Sequence, residues 1–139
     1  MSTDHYPKGA FILKKNIAAH QPYHFVFVGA NEKTLLLSEN YTSSHGARSG
    51  IDSVRLNGDD EKNFTRKTAE DGRFYFVLKA KNHEAIGRGM FHKTEAERDH
   101  DLKEIMRLCN GAVLVDETGE NSGGVSTSEP KRSGSNRYA

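Results

Sequence analysis

The chain has 139 residues, of which 35% are hydrophobic and 28% are charged, and its formal net charge is +1. This length predicts a single domain, and the balanced charge disfavours bulk electrostatic attraction to nucleic acid or to an anionic membrane. No apolar run approaches the roughly 18 residues that span a bilayer. Residues 1–8 also lack the basic and apolar regions of a signal peptide. We therefore expect a cytoplasmic protein that does not bind membranes.

The first elements in chain order form a strand meander. Residues 1–10 are predicted to be flexible, and a first strand pattern begins at Phe11. Tyr23, Phe25 and Phe27 then alternate with other residues, which is the period-two signature of a strand. After a further turn a third strand returns, so the pattern predicts a three-stranded antiparallel meander. The alternating aromatic residues share one face, which we assign to the core.

A weak helix follows this meander and closes a first repeat, residues 11–58. Ser43 or Ser44 can cap its N-terminus. Gly46 and Gly50 each cost up to about 1 kcal/mol relative to alanine inside a helix. We expect the helix to depend on docking to the sheet through an apolar stripe, which comprises Ala47, Ile51 and Val54.

The same series of elements then recurs in residues 64–116. Asp71-Gly72 separates two strand patterns and is typical of a tight hairpin turn. Between the repeats, Tyr23 matches Phe74 and Leu35 matches Ile86. We then infer one missing residue in the second copy, which matches Tyr41 to Phe91 and Asn57-Gly58 to Asn110-Gly111. The ordered series of matches indicates an internal duplication.

The second helix carries stronger signals than the first. Thr94 and Glu97 fit a capping box, and Gly111 suits a left-handed C-cap. Its apolar positions can share one face, and they are Ala96, Leu102, Ile105, Met106 and Cys109. A short strand at 112–116 follows. We predict that residues 59–63 are a linker or part of an exchanged strand, and that residues 117–139 are disordered because they carry few large apolar side chains.

These elements predict an α+β fold in which tandem β-β-β-α-β repeats form one antiparallel sheet. Both helices pack on one face of the sheet, and a pseudo-two-fold axis relates the repeats. One copy of about 50 residues is near the lower limit for independent folding. Two fused copies can share a core at a high effective concentration, so we expect one globular unit and a monomer.

Three segments resemble the YegP-like family of bacterial proteins of unknown function. They are residues 67–83, the run Ser38-Glu-Asn-Tyr-Thr-Ser43 and the run Gly50-Ile-Asp-Ser-Val-Arg55. The resemblance covers residues 11–111. The chain departs from the family pattern in its second helix, at Asp101-Leu-Lys-Glu-Ile-Met106. The resemblance implies the tandem fold, with terminal strands exchanged between the repeats. It implies no activity, cofactor or functional residue.

Candidate catalytic and metal-binding residues favour structural interpretations. Cys109 near a helix end is expected to be a core residue rather than a nucleophile. The densest group of candidate metal ligands is Asp99-His100-Asp101, with Glu95, Glu97 and His92 nearby. His100 has Glu97 and Glu104 at helical spacing, but no second histidine or cysteine completes a tetrahedral zinc set. We expect a solvated charged face there, with no metal or cofactor, and we expect the protein not to be an enzyme.

The sheet face opposite the helices is the remaining candidate site. We expect it to present Val26, Val28, Tyr75 and Val77 as a surface for a protein partner. The alternative is a surface for RNA or single-stranded nucleic acid, because exposed aromatic residues on a sheet can stack bases. Basic residues that could then supply charge are Arg48, Arg55, Arg66, Lys67 and Arg73. Valine is a poor stacking platform, so we favour a non-enzymatic interaction module.

Overall fold

A computed structural model describes residues 6–120, which form one sheet of seven strands and two helices. The elements in chain order are β1 (Ala10–Lys15), β2 (Tyr23–Val28), β3 (Thr34–Ser38), α1 (Ser44–Asn57), a 3-10 turn (Glu61–Asn63), β4 (Phe64–Thr68), β5 (Phe74–Lys79), β6 (Ala85–Arg88), α2 (Glu95–Leu108) and β7 (Val113–Asp116). The predicted α+β class and the order of elements are confirmed.

The sheet joins two meanders at its centre. Its strand order is β4-β5-β6-β3-β2-β1-β7, and β3 meets β6 through the antiparallel pair of Leu37 and Arg88. The last strand, β7, crosses from the second repeat to the outer side of β1 and pairs with it in parallel. The other pairings are antiparallel. The second repeat thus donates its terminal strand to the first, which gives the otherwise antiparallel sheet one parallel pair.

The two repeats correspond without a gap from their second strand to the end of their helix. Starting residues of β2 and β5, of β3 and β6, and of α1 and α2 all lie 51 positions apart. The inferred one-residue deletion is therefore wrong. Tyr41 corresponds to His92, and each residue forms an isolated bridge to the first residue of the neighbouring strand. The length difference instead lies in the first hairpin, which has a longer loop, residues 16–22 against 69–73.

The core lies between the sheet and the helices. Phe11 and Phe27 stack with ring centroids 4.5 Å apart, and Phe64 meets Phe76 edge to face at 5.5 Å. Alternation alone brings these rings to one face, as predicted. Both helices cover that face with fully buried side chains, which are Ile51 and Val54 from α1 and Leu102 and Ile105 from α2.

Helix ends follow the sequence only in part. Ser43 and Thr94 are the N-caps, and their side chains accept hydrogen bonds from the amides of Gly46 and Glu97 at 2.9 and 3.1 Å. The predicted C-cap at Gly111 is wrong, since α2 ends at Leu108 with Cys109 as its cap in right-handed geometry. The apolar stripe of α2 is correct except that Ala96 is exposed.

Hydrogen bonds link the residues that follow β7 to the first repeat. The Glu117 amide donates to the Leu13 carbonyl at 2.8 Å, and Tyr23 donates through its hydroxyl to Glu120 at 2.6 Å. These backbone and side-chain hydrogen bonds connect residues 117–120, the start of the segment predicted to be disordered, to the first repeat. The rest of the predicted tail, 121–139, and the first five residues lie outside the described part of the chain. Within 6–120, no helix is both long and apolar enough to cross a membrane.

Candidate functional site

One row of side chains crosses the whole sheet on the face opposite the helices, which we call the open face. Strand pairing aligns one residue from each strand in this row, and all seven are partly exposed. From β7 to β4 they are Val115, Ile12, Val26, Leu37, Arg88, Val77 and Thr65. The row is aliphatic apart from Arg88 and Thr65, so the open face offers continuous apolar contact from β7 to β3 and again at β5.

Three of the four residues predicted for this surface are accessible. Val26, Tyr75 and Val77 are partly exposed, whereas Val28 is only 5% exposed. The strand pairing shifts register between Phe27 and Val28, so both residues are buried in succession. This bulge interrupts the alternation on which the prediction for Val28 depended, and Val28 contributes no contact surface.

A cluster of two arginines and two aromatic rings lies at the second-repeat end of the open face. The Arg73 and Arg88 guanidinium carbons lie 4.7 and 4.9 Å from the centroid of the Phe91 ring. The Tyr75 ring centroid is 4.9 Å from that of Phe91, with the rings tilted by 55°. Cations within about 6 Å of a ring face are held by its quadrupole, so this aromatic–arginine cluster presents two oriented positive charges.

A cavity of about 480 Å³ adjoins the cluster. The longer first hairpin loop forms one wall, and its lining includes Asn16, His24, Leu37, Glu39 and Arg88. Burial, together with the nearby charge of Lys14, lowers the pKa of His24. Burial thus favours the neutral form of the imidazole, and Arg88 links the cavity to the cluster.

The basic residues predicted for this surface divide between the two sides of the sheet. Arg48 donates to Asp116 at 2.6 Å, and Arg55 donates to the Ala112 carbonyl at 2.8 Å on the helix side. Arg66, also on the helix side, donates to Asp99 at 2.9 Å. Only Lys67 and Arg73 belong to the open face. Three further basic residues lie there that were not among the five expected to supply charge, and they are Lys14, Lys79 and Arg88.

Arg88 and Phe91 were not predicted as site residues. The one indication for Arg88 is that it pairs with Leu37 and so points to the same face of the sheet. Phe91 follows β6, and it contacts Tyr75 of β5 and Arg73 of the turn that precedes β5. The cluster is therefore assembled by tertiary contacts that single-strand periodicity does not reveal.

The helix side carries a second polar cluster around Asp101. This carboxylate is fully buried, lies 2.7 Å from His92 Nε2, and accepts a hydrogen bond from Lys33 Nζ at 2.8 Å. The predicted solvated face is therefore wrong at Asp101, which points inward. Across residues 6–120, no group of three histidine, cysteine or acidic residues has the arrangement of a metal site.

Cys109 has the environment of a core residue. Its side chain is fully buried. Burial, with the nearby charge of Asp59, raises the pKa of the thiol to about 11. The thiolate, which is the nucleophilic form, is therefore scarce at neutral pH.

The chain matches one family model twice and is similar to known bacterial proteins along most of its length. The family described as Domain of unknown function (DUF1508) matches residues 19–64 and 69–116. UPF0339 protein YegP of Escherichia coli strain K12 is 36% identical over 110 residues, which cover 79% of this chain and 98% of that protein. A UPF0339 protein of Bordetella pertussis strain Tohama I is 38% identical over 110 residues, covering 79% of this chain and 96% of that protein.

Two solution NMR structures share the fold. The E. coli yegP structure, described as a protein of unknown function, has a TM-score of 0.74 at 37% identity and covers 81% of this chain and 96% of that one. UPF0339 protein SO3888 of Shewanella oneidensis has a TM-score of 0.75 at 31% identity, covering 86% and 99%. With both repeats matched and the sheet shared, this chain belongs to the YegP-like UPF0339 family of bacterial proteins with duplicated DUF1508 domains.

Proposed function

We propose that this protein is a non-enzymatic interaction module whose open face binds an acidic, aliphatic segment of a partner protein. The observation that carries the proposal is the aromatic–arginine cluster at the end of an aliphatic row. Arg73 and Arg88 are held against Phe91, so a partner carboxylate meets positive charge that is already oriented.

Charge segregation supports an acidic partner. The chain as a whole is almost neutral, yet five basic side chains lie on the open face, namely Lys14, Lys67, Arg73, Lys79 and Arg88. Of these, Lys14 has a carboxylate 3.6 Å away in Glu117, and Arg73 pairs with Asp71 at 2.8 Å. Both of those pairs are largely exposed, so they compete weakly with an incoming ligand.

The side chains of the row favour a peptide over a nucleic acid. Val26, Leu37 and Val77 provide aliphatic contacts but no ring on which a base can stack. Tyr75 packs against Phe91, whose ring is already contacted by two guanidinium groups. An extended peptide with alternating aliphatic and acidic residues matches both the row and its charged end. We also propose a cytoplasmic location, and a monomeric state because the two fused repeats already share one sheet and one core.

A random peptide library displayed on phage tests the proposal. The wild-type chain is expected to enrich peptides in which Asp or Glu alternates with aliphatic residues. The R73A/R88A variant, once its fold is verified by circular dichroism, is expected to bind an enriched peptide at least about tenfold more weakly, because charge-assisted hydrogen bonds contribute roughly 1.5 kcal/mol or more.

The K103A/R107A variant is a matched control. It removes the same charge from α2, on the other side of the sheet, and is expected to bind the peptide normally. Enrichment of peptides with no acidic preference, or equal binding by both variants, would contradict the proposal. A random-sequence RNA pool forms a parallel arm, and salt-dependent RNA binding that is lost in R73A/R88A would favour the nucleic-acid alternative instead.

A further inference from the structure

The two outer sides of the sheet differ although the repeats match. On one side, β7 follows α2 and covers the outer edge of β1. The equivalent strand after α1 would cover the outer edge of β4, but there the chain passes through a short 3-10 turn directly into β4 itself. Among residues 6–120, no strand pairs with the outer edge of β4. The duplicated fold therefore has two equivalent strand positions and one strand to fill them.

The backbone of β4 is oriented to accept a strand. Phe74 and Phe76 direct their backbone groups toward β6 and the bridge residue His92, so Tyr75 and Val77 direct theirs toward β4. In an antiparallel pair, two residues that face each other either exchange backbone hydrogen bonds or both direct their amide and carbonyl groups away from the partner strand. Because Thr65 and Lys67 face Val77 and Tyr75, the amide and carbonyl groups of Arg66 point outward.

Leu13, the equivalent residue in β1, uses its carbonyl in this way to accept a hydrogen bond from the Glu117 amide, which directly follows β7.

The side chains along this edge specify the charge of a partner strand. In the existing pair, Leu114 lies opposite Phe11 and Asp116 lies opposite Leu13. Phe11 and Leu13 pair with Phe27 and Phe25 of β2, and the equivalent residues of β5 pair with Phe64 and Arg66. Phe64 is therefore the equivalent of Phe11, and Arg66 is the equivalent of Leu13. A parallel segment of the same pattern would thus place an aliphatic residue opposite Phe64 and an acidic residue opposite Arg66, and the next residue, if acidic, would meet the exposed Lys67.

Arg66 remains able to bind such a carboxylate. It donates to Asp99 through Nε at 2.9 Å and to Glu61 through Nη2 at 2.8 Å, which uses two of the five N–H donors of a guanidinium. Basic residues on an edge strand discourage pairing with apolar strands. The same residues attract a strand that carries carboxylates.

We propose that the outer edge of β4 is a second binding site, where an extended partner segment with two aliphatic residues followed by two acidic residues adds as a parallel strand. This mode is β-strand addition, in which backbone hydrogen bonds supply affinity and side chains supply selectivity. The site shares Lys67 with the open face, but its hydrogen-bonding edge is a different surface, and it does not depend on the function proposed for that face. The partner is a different protein, because this chain's own segment of that pattern is β7, which already covers β1.

Amide hydrogen exchange in the full-length chain, followed by NMR, tests the proposal with a synthetic hexapeptide that has the sequence of residues 112–117. Exchange of the Arg66 amide is expected to slow on addition of the peptide, while that of the Leu13 amide stays unchanged. The tethered β7 competes at an effective concentration in the millimolar range and should keep the peptide away from β1. A peptide with Asn and Gln in place of Asp and Glu is expected to bind more weakly.

Three variants separate charge from backbone pairing. K67E is expected to weaken the binding of the acidic peptide about two- to fivefold, which is the effect of losing an exposed ion pair. Both R66P and R66A remove the guanidinium group, but only R66P also removes the outward-pointing amide hydrogen. Proline is tolerated at such a position because the amide of an edge strand has no partner within the sheet. R66A is expected to retain weak binding and R66P none.

The result that would overturn the proposal is unchanged exchange at Arg66, or slowing at Leu13 instead. Slowing confined to the open-face residues Val26 and Val77 would also overturn it, while supporting the function proposed above. Protection of Arg66 that rises with protein concentration in the absence of peptide would identify a second copy of this chain as the occupant, and would overturn the assignment to a different partner.

Discussion

His92 Nε2 lies 2.7 Å from Asp101 Oδ2, at the position where the first repeat places Tyr41 against Gly50. Both pairs link the chain before a helix to the second turn of that helix. In the first repeat a large ring meets a residue with no side chain, and in the second a smaller ring meets a carboxylate. The repeats thus hold their helices to the sheet by different chemistry at one structural position.

Replacing His92 and Asp101 by the tyrosine and glycine of the first repeat is expected to show that the stability effects of the two positions are coupled. H92Y is predicted to destabilise the fold by about 2–3 kcal/mol, because it deprives a buried carboxylate of one partner while Lys33 remains. D101G is predicted to cost about 1–2 kcal/mol, since it adds a glycine to a helix interior and removes the partner of His92. The double variant reproduces the pair of the first repeat. We expect it to recover at least about 1 kcal/mol relative to the sum of the single variants.

Urea unfolding of the four proteins in this cycle provides the measurement. Additive losses, with no recovery in the double variant, would show that the two positions are energetically independent and that the structural correspondence carries no coupling.

Gly50 is expected to resist substitution because of the Tyr41 ring. A Cβ atom at residue 50 would clash with the Tyr41 hydroxyl oxygen and would lie 2.8 Å from the Cζ atom of that ring. Overpacking of this kind costs typically about 1–3 kcal/mol, so Gly50→Ala should lower the midpoint of thermal unfolding. Gly46→Ala is the matched control, because the nearest contact there is 3.2 Å and alanine favours helix. Equal stability of the two variants would contradict this explanation for Gly50.

The thiol of Cys109 is expected to be unreactive in the folded protein. Its pKa of about 11 and its complete burial leave little accessible thiolate at pH 7 to 8. A thiol reagent such as a disulfide dye should react slowly with the native chain and rapidly in denaturant. Fast stoichiometric reaction under native conditions would mean that the end of α2 opens readily.

Acid is expected to loosen β7. Desolvation alone would raise the pKa of Asp116, but hydrogen bonds from Thr118 and Arg48 outweigh it and lower the pKa below its ordinary value. A carboxyl with a lowered folded pKa adds stability above the unfolded value of about 3.9, and this contribution is lost as pH falls through the folded pKa. Arg48→Met should therefore shift the loosening of β7 to higher pH.

The Glu117 amide, which donates to Leu13, reports this loosening through its hydrogen exchange as pH is lowered. Arg107→Met, on the exposed face of α2, serves as the control and should leave the profile unchanged. The prediction fails if Arg48→Met and the control give the same pH dependence.

Much of the fold is predictable because aromatic alternation is local. Tyr23, Phe25 and Phe27 identify a strand and its buried face without any tertiary information, and Thr94 identifies the start of a helix. Matching the repeats by residue type was less reliable. Aligning the aromatic Tyr41 with Phe91 required a deletion, whereas the backbone places His92 there.

The candidate site was harder to predict because it depends on contacts between distant segments. A bulge buries Val28, and the cluster of Arg88 with Phe91 joins residues whose neighbours lie on other strands. The direction of Arg66 likewise follows from strand pairing, which positions it beside Asp99 rather than on the open face. Periodicity predicts which face a residue occupies only while the alternation is unbroken.

The most direct test of the open-face proposal is a titration of the isotopically labelled full-length chain with an acidic peptide enriched by the phage selection, followed by amide chemical shifts. We predict saturable shifts at Val26, Val77, Arg88 and Phe91, with little change along α1 and α2. Shifts that concentrate on the helices, or that do not saturate, would contradict it.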